Sequence, residues 1–329
     1  MLLKSPSTRI CSWASIGNIP VKMLIVISTT QFGNDSIGFS SVFSANELVV
    51  GIICVLINIQ DRRCLVWIYF NPGDGRDSVN VRTANLVFLI STIFWFCMSA
   101  VVTKFGKPKF VKSDVKFYKW RNIFISWVHG VLGGTWNFLC VLWYPGLLED
   151  PVFYLNNFIY LMIPFSMGYF LYDVIDNMMN GTLLSNWEVT LHHVLVLIGF
   201  TYNWTAKVCL GYSILALMAE INSIFLHFRK MLQFSTVGYE TKIYRTTSLL
   251  NLISFILCRL LPQCRILNGF YIDGYKLPRM YMVTLSIIFP PGFIINVILF
   301  WRIFKSDVLR SLKADKTVKP IKSNSKKED

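Results

Sequence analysis

Long apolar runs recur through the second three-quarters of this chain, separated by short polar, basic or turn-rich segments. A helix that crosses a membrane needs about 20 mostly apolar residues. Seven runs meet or approach that length, at 85–103, 123–143, 152–172, 189–206, 208–228, 248–264 and 280–304. The pattern therefore predicts an all-α polytopic membrane protein, a bundle of about seven transmembrane helices. The runs at 189–206 and 248–264 are the least apolar, because each carries ionisable residues. Such residues in membrane helices face the bundle interior or a cavity.

The first 84 residues do not follow this pattern. The stretch at 21–30 is apolar but short, and it lies behind a polar leader with no clear cleavage site, so it makes a poor signal peptide. The stretch at 48–59 is a dozen residues long and becomes a candidate eighth span only if extended back through Glu47 and Asn46. Residues 71–75, Asn-Pro-Gly-Asp-Gly, read as a turn. Three regions follow: an N-terminal region at 1–84, a transmembrane helical region at 85–305, and a polar, Lys/Ser-rich tail at 306–329 expected to be disordered.

Composition supports this division. Of 329 residues, 54% are hydrophobic and 15% charged, with a mean hydropathy of +0.50, too little charge to cover a soluble globule of this length. The net charge of +14 would suit a nucleic-acid binder, but no recognition motif accompanies it. The basic residues instead bunch between spans: Lys104 to Arg121, the loop holding Arg229, Lys230, Lys242 and Arg245, and the tail from Arg302 onward. With seven spans these fall on one side, which the positive-inside rule makes cytoplasmic. The Glu149–Asp150 loop then faces out. Of the sequons at Asn34, Asn180 and Asn203, only Asn34 is a candidate for glycosylation. The eight cysteines form no CxxC pair and read as packed free thiols.

Candidate chemistry lies in three clusters. His192 and His193 are adjacent, so on a helix their side chains point about 100° apart. Glu188 is four residues before His192 and shares its face, where a carboxylate can orient an imidazole. Asp173 and Asp176 are three apart near the end of the preceding span. A short connection at 177–186 joins the two helices as an antiparallel hairpin, so the acid pair and the histidine pair can meet at one depth. Glu220 and Asn222 sit deep in the next helix. His129 and Arg259 are isolated within theirs, with Arg259 the candidate counter-ion for Glu220 or an aspartate. This set suits acyl chemistry with a histidine as base or nucleophile, metal binding, or a structural or headgroup-binding polar network. Spacing alone leaves all three open.

The ordered motifs resemble one family. SMGYFLYDVID at 166–176 followed by SNWEVTLHH at 185–193 looks like the core of a TLC domain, shared with ceramide synthases. WRNIFISWVH at 120–129, AEINSIFL at 219–226, Asn251-Leu252 and RLLPQ at 259–263 are similar to the branch of TLC domain-containing proteins 1 and 2. The resemblance covers about 117–305. It implies helices around a lipid-accessible polar cavity, with the acyl-transfer role of the paired histidines falling on His192 and His193. It also implies a lipid or polar pocket formed by His129, Asp173, Asp176, Glu188, Glu220, Asn222 and Arg259. The synthases place His-Asp-x-x-Asp in the helix after the histidines, whereas this chain has Ala219-Glu220-x-x-Ser223, a departure from sphingoid-base acylation. The branch implies regulation of phospholipid acyl composition and fluidity at the plasma membrane, by limiting incorporation of long-chain polyunsaturated fatty acids. The alternative is a lipid acyltransferase. The expected partners are membrane phospholipids or acyl chains, with acyl-CoA the candidate donor. No cofactor, resident metal or nucleic acid is expected.

Overall fold

The computed structural model describes residues 79–309, apart from 112, 236 and 239. The candidate span at 48–59, the Asn34 sequon and the tail beyond 309 lie outside these residues. The described residues form helices and no strand: α1 Val81–Phe105, α2 Asp114–Trp143, the one-turn α3 Gly146–Glu149, α4 Asn157–Met179, α5 Trp187–Ala206, α6 Leu210–Leu217, α7 Ala219–Phe234, α8 Lys242–Phe255, α9 Leu261–Ile272 and α10 Arg279–Phe304. Each of the seven expected runs is helical over most of its length, and the differences lie at the ends. The third begins at Asn157 rather than 152, where the Asn156 side chain caps the helix by accepting the Phe158 N–H at 2.8 Å. It continues to Met179, past Asp173 and Asp176, because both carboxylates find partners inside the bundle.

Among the described residues six helical segments are long and apolar enough to cross a membrane: α1, α2, α4, α6 with α7, α8 with α9, and α10 with the turn that follows. This is a multi-pass membrane protein. The seventh expected span, α5, has 20 residues, about 30 Å at 1.5 Å per residue. Its Glu188, His192, His193 and Asn203 keep it less apolar than the other six.

Burial ranks the helices. In α4, 72% of the apolar window is buried, against 17% in α1 and 6% in α10, so α4 is central and the other two are peripheral. Small residues allow the central contacts. A Cβ on Gly168 of α4 would lie 2.6 Å from the Ser91 Cβ of α1, and Ser91 donates to the Phe165 carbonyl at 2.6 Å. A Cβ on Gly134 of α2 would lie 3.1 Å from the Glu220 backbone, so this glycine lets α7 approach closely enough to bring Glu220 to His129.

Two segments are interrupted. α6 and α7 meet at Met218, and a π turn at Ile256–Leu260 joins α8 to α9. Pro262 has no N–H and its ring crowds the carbonyl four residues back, which the wider π turn accommodates. That turn also carries Arg259 into the bundle, where it is 8% exposed. At one end of the bundle, Tyr118 of α2 meets Thr182 of the α4–α5 turn, Glu188 of α5 meets Arg302 of α10, and Arg229 of α7 meets Asp307. At the other end Tyr281 donates to Asn203, and Tyr212 to Asp273. Cys140 and Cys209 are buried free thiols, whereas Cys97 and Cys264 are exposed on their helices.

Candidate functional site

The first polar cluster is built on α4. Asp173 accepts from the Asn122 amide of α2 at 2.8 Å through one oxygen, and its other oxygen lies 2.8 Å from Nδ1 of His193 on α5. Asp176, one helical turn further on, takes both oxygens to the Arg121 guanidinium at 2.7 and 3.0 Å, and Arg121 also reaches the Thr103 hydroxyl. The two aspartates thus share a helix face but have different partners: one holds an imidazole, the other an arginine. The hairpin between α4 and α5 does bring the acid pair and the histidine pair to one depth, and the contact is made by Asp173 and His193.

His129 lies behind this cluster with no exposed surface. Its ring stacks on Tyr169 at 3.9 Å between centroids and 9° between planes, and Trp95 packs edge-on at 5.5 Å. Its Nδ1 is 3.4 Å from the Glu220 carboxylate of α7. The partner of Glu220 is therefore His129, not Arg259.

His192 turns away from His193, as the 100° step requires; the ring centroids are 5.8 Å apart. It faces a cavity of about 140 Å³ between α5, α6, α7, α9 and α10. One end of this cavity is polar, formed by His192, Glu220 and Asn296. The middle is apolar, formed by Leu195, Val196, Leu285, Phe289 and Phe293, and the far end carries Asn203, Tyr212 and Tyr281. Gly199 and Gly292 border it, and a Cβ on either would meet nothing within 4 Å. The shape is that of a slot for an apolar chain with a polar terminus.

Arg259 belongs to a separate knot. Its Nε donates to Asn222 at 2.7 Å, one Nη to Asn296 at 2.9 Å and the other to Ser223 at 2.9 Å. Asn222 in turn donates to the Asn251 carbonyl and the Ser254 hydroxyl. Among the described residues Arg259 makes no ion pair within 4 Å: each guanidinium nitrogen donates to a neutral oxygen, and Glu220 acts on it only from a distance. Glu188 is likewise not placed to orient His192. It accepts from Arg302 at 2.8 Å on the surface, because the first turn of α5 emerges beside the end of α10.

His227 was not among the expected residues. It lies on α7 and borders a second, polar recess of about 490 Å³, together with Tyr118, Asn122, Asp173 and Lys230. The available signal was weak: a histidine three residues before Lys230, one turn apart on one helix face, next to a segment that reads as a basic loop. Among the described residues no three His, Cys, Asp or Glu side chains group as a metal ligand set.

The fold and these clusters define a polytopic helical membrane protein with an apolar slot that ends on a histidine and a carboxylate. The chain belongs to the TLC-domain family, whose family model matches residues 119–305. It is similar to TLC domain-containing protein 2 of Danio rerio, 29% identical over 59% of this chain and 78% of that protein. It is similar also to TLC domain-containing protein 1 of Homo sapiens, 27% identical over 67% of this chain and 89% of that protein. A match to TLC domain-containing protein 2 of Mus musculus reaches 32% identity over 47% of this chain and 49% of that protein. Membership of this family supports a lipid-related role in a membrane.

Proposed function

We propose that this chain regulates the acyl-chain composition and fluidity of plasma-membrane phospholipids, limiting the incorporation of long-chain polyunsaturated fatty acids. The observation that carries the reading is the slot between α5 and α10, apolar along its length and polar at His192, Glu220 and Asn296. An acyl chain seats against Leu195, Phe289 and Phe293, with its ester or acid end toward the polar head. Rigid aromatic walls separate straight from kinked chains by shape. The basic end of the bundle faces the cytoplasm in this reading, following the positive-inside rule.

The test is a phospholipid acyl-chain profile in null cells challenged with polyunsaturated fatty acid, rescued at matched surface expression. The native chain restores the profile, and Gly199→Leu, which fills the slot without a backbone clash, does not. A Gly199→Leu chain that restores the profile fully would show that the slot is not used.

One observation favours acyl transfer as a second reading. An imidazole beside a carboxylate, as His193 lies 2.8 Å from Asp173, is placed to act as a general base. It would take the proton of an amine or hydroxyl acceptor. The acceptor would bond to the acyl carbon, the carbon–sulfur bond of an acyl-CoA donor would break, and the proton would pass to the leaving thiolate. His193→Ala, which leaves the polar head of the slot in place, separates the readings in the same rescue. Loss of rescue with unchanged melting temperature favours transfer, and full rescue leaves seating alone.

A further inference from the structure

The cations at the basic end of the bundle are unequally matched. Arg121 is bound by Asp176, and Arg229 by Asp307 and the Ser306 hydroxyl. Lys230 follows Arg229 directly, yet neither its side chain nor that of Lys119 has a carboxylate within 4 Å or a hydrogen-bond partner among the described residues, and Glu188, paired with Arg302, acts on Lys230 only from a distance. Both border the polar recess between α2, α4, α5 and α7. His227, one turn before Lys230, also borders it, and its Nδ1 is closed off from solvent with no partner. The one carboxylate in the lining is Asp173, already engaged by Asn122 and facing His193.

A partly buried ammonium with no counter-ion in contact is costly unless something occupies the recess. Two cations outnumber one engaged carboxylate, so the occupant is an anion. At about 490 Å³ the recess is far larger than a halide needs. Its amides and hydroxyls bond within the protein, so the two lysine ammoniums are the donors left for the oxygens of a tetrahedral phosphate. It also meets the proposed site: Asp173 touches His193, and His192 beside it heads the apolar slot.

We propose that this recess is a phosphate-binding subsite, with Lys230 and Lys119 as its cations. The inference deepens the acyl-handling reading and rests on it, by giving what the slot takes a phosphate-bearing partner. That partner is either a phospholipid headgroup or a phosphorylated soluble acyl carrier.

The experiment uses the full chain purified in a phosphate-free detergent and titrated with two probes: dioleoyl phosphatidate in mixed micelles, and coenzyme A in solution. Saturable binding of phosphatidate but not coenzyme A assigns a headgroup, and the reverse assigns a soluble carrier. In either case Lys230→Gln and Lys119→Gln each weaken the effective probe about tenfold, the loss of one charge-assisted contact. Lys109→Gln and Lys305→Gln, exposed and outside the recess, leave binding unchanged. Lys230→Arg retains affinity and guards against a Lys230→Gln chain that fails to fold, as does Lys119→Gln at the exposed rim. The proposal is overturned if neither probe saturates, if both Gln variants bind like the native chain, or if the control lysines matter equally. Gly199→Leu separates the two readings: it binds the probe normally and fails the lipid-profile rescue. If it rescues instead, the slot reading fails while the phosphate site stands.

Discussion

Arg259 and His192 lie on neighbouring walls of one bundle, and Asn296 touches both surroundings, yet their polar groups are used differently. All three donor nitrogens of Arg259 have an oxygen within 2.9 Å, and Asn222 extends the network to α8. That knot is full. His192 makes no side-chain hydrogen bond to the protein among those described, and it borders an apolar slot together with Glu220. The difference teaches that a polar group inside a membrane bundle is not by itself a functional site. Where every donor is met within the protein, the group holds helices together. Where a polar terminus borders a cavity, it is free to meet a ligand.

The comparison breaks most sharply at Arg259. Arg259→Leu removes the hub of the knot and leaves Asn222, Asn296 and Ser223 without their donor, at a cost of about 2–5 kcal/mol. The expected outcome is a large fall in melting temperature in detergent and poor surface expression. His192→Ala, by contrast, leaves the melting temperature within a few degrees of native. If the two variants unfold alike, full and open clusters do not differ as described.

A smaller effect is expected at Glu188. Its pair with Arg302 is solvent-facing, with the arginine side chain 60% exposed, so Glu188→Gln costs about 0–1 kcal/mol. It also leaves lipid-profile rescue intact. Loss of rescue would return Glu188 to the site.

The smallest effect lies at the far end of the bundle, in the loop before α10, where Asp273 accepts from Tyr212 and from Lys276 at 2.8 Å. Burial pushes the Asp273 carboxyl up, but the hydrogen bonds from Lys276 and Tyr212 outweigh it and hold the group below the ordinary 3.8. The hydrogen bond to Asp273 raises Lys276 above the ordinary 10.5. A depressed acid contributes stability above its unfolded pKa, which is lost as pH falls through the folded one. A raised base contributes below its unfolded pKa and loses this as pH rises through the folded one. The clamp therefore acts between about pH 4 and pH 10. Asp273→Asn lowers the melting temperature slightly at pH 7 and less at pH 3. An equal loss at both would remove the charge from the explanation.

The helices were legible because an apolar run of membrane length has few alternatives. Their ends were less so, since Asp173 and Asp176 look like a helix terminus until Asn122, His193 and Arg121 arrive from other helices. The angle between His192 and His193 follows from helix geometry, and the structure places them on different walls as that angle requires. Glu188 was given a partner on its own helix because spacing ranks same-helix neighbours, and Arg259 was given an acid because charge alone ranked its partners; Arg302 and Asn296 both come from α10, more than thirty residues away in sequence. His227 escaped because the recess it borders exists only after α2, α4, α5 and α7 have packed.

The most direct measurement is photo-crosslinking of the full chain in nanodiscs with a phospholipid carrying a diazirine on its acyl chain, with adducts mapped by mass spectrometry. Seating of the chain in the slot predicts adducts at Leu195, Val196, Phe289 and Phe293, lost in Gly199→Leu while adducts on the exposed face of α1 at Leu86 and Leu89 remain. Adducts confined to lipid-facing residues such as Leu86 and Leu89, unchanged by Gly199→Leu, would contradict it.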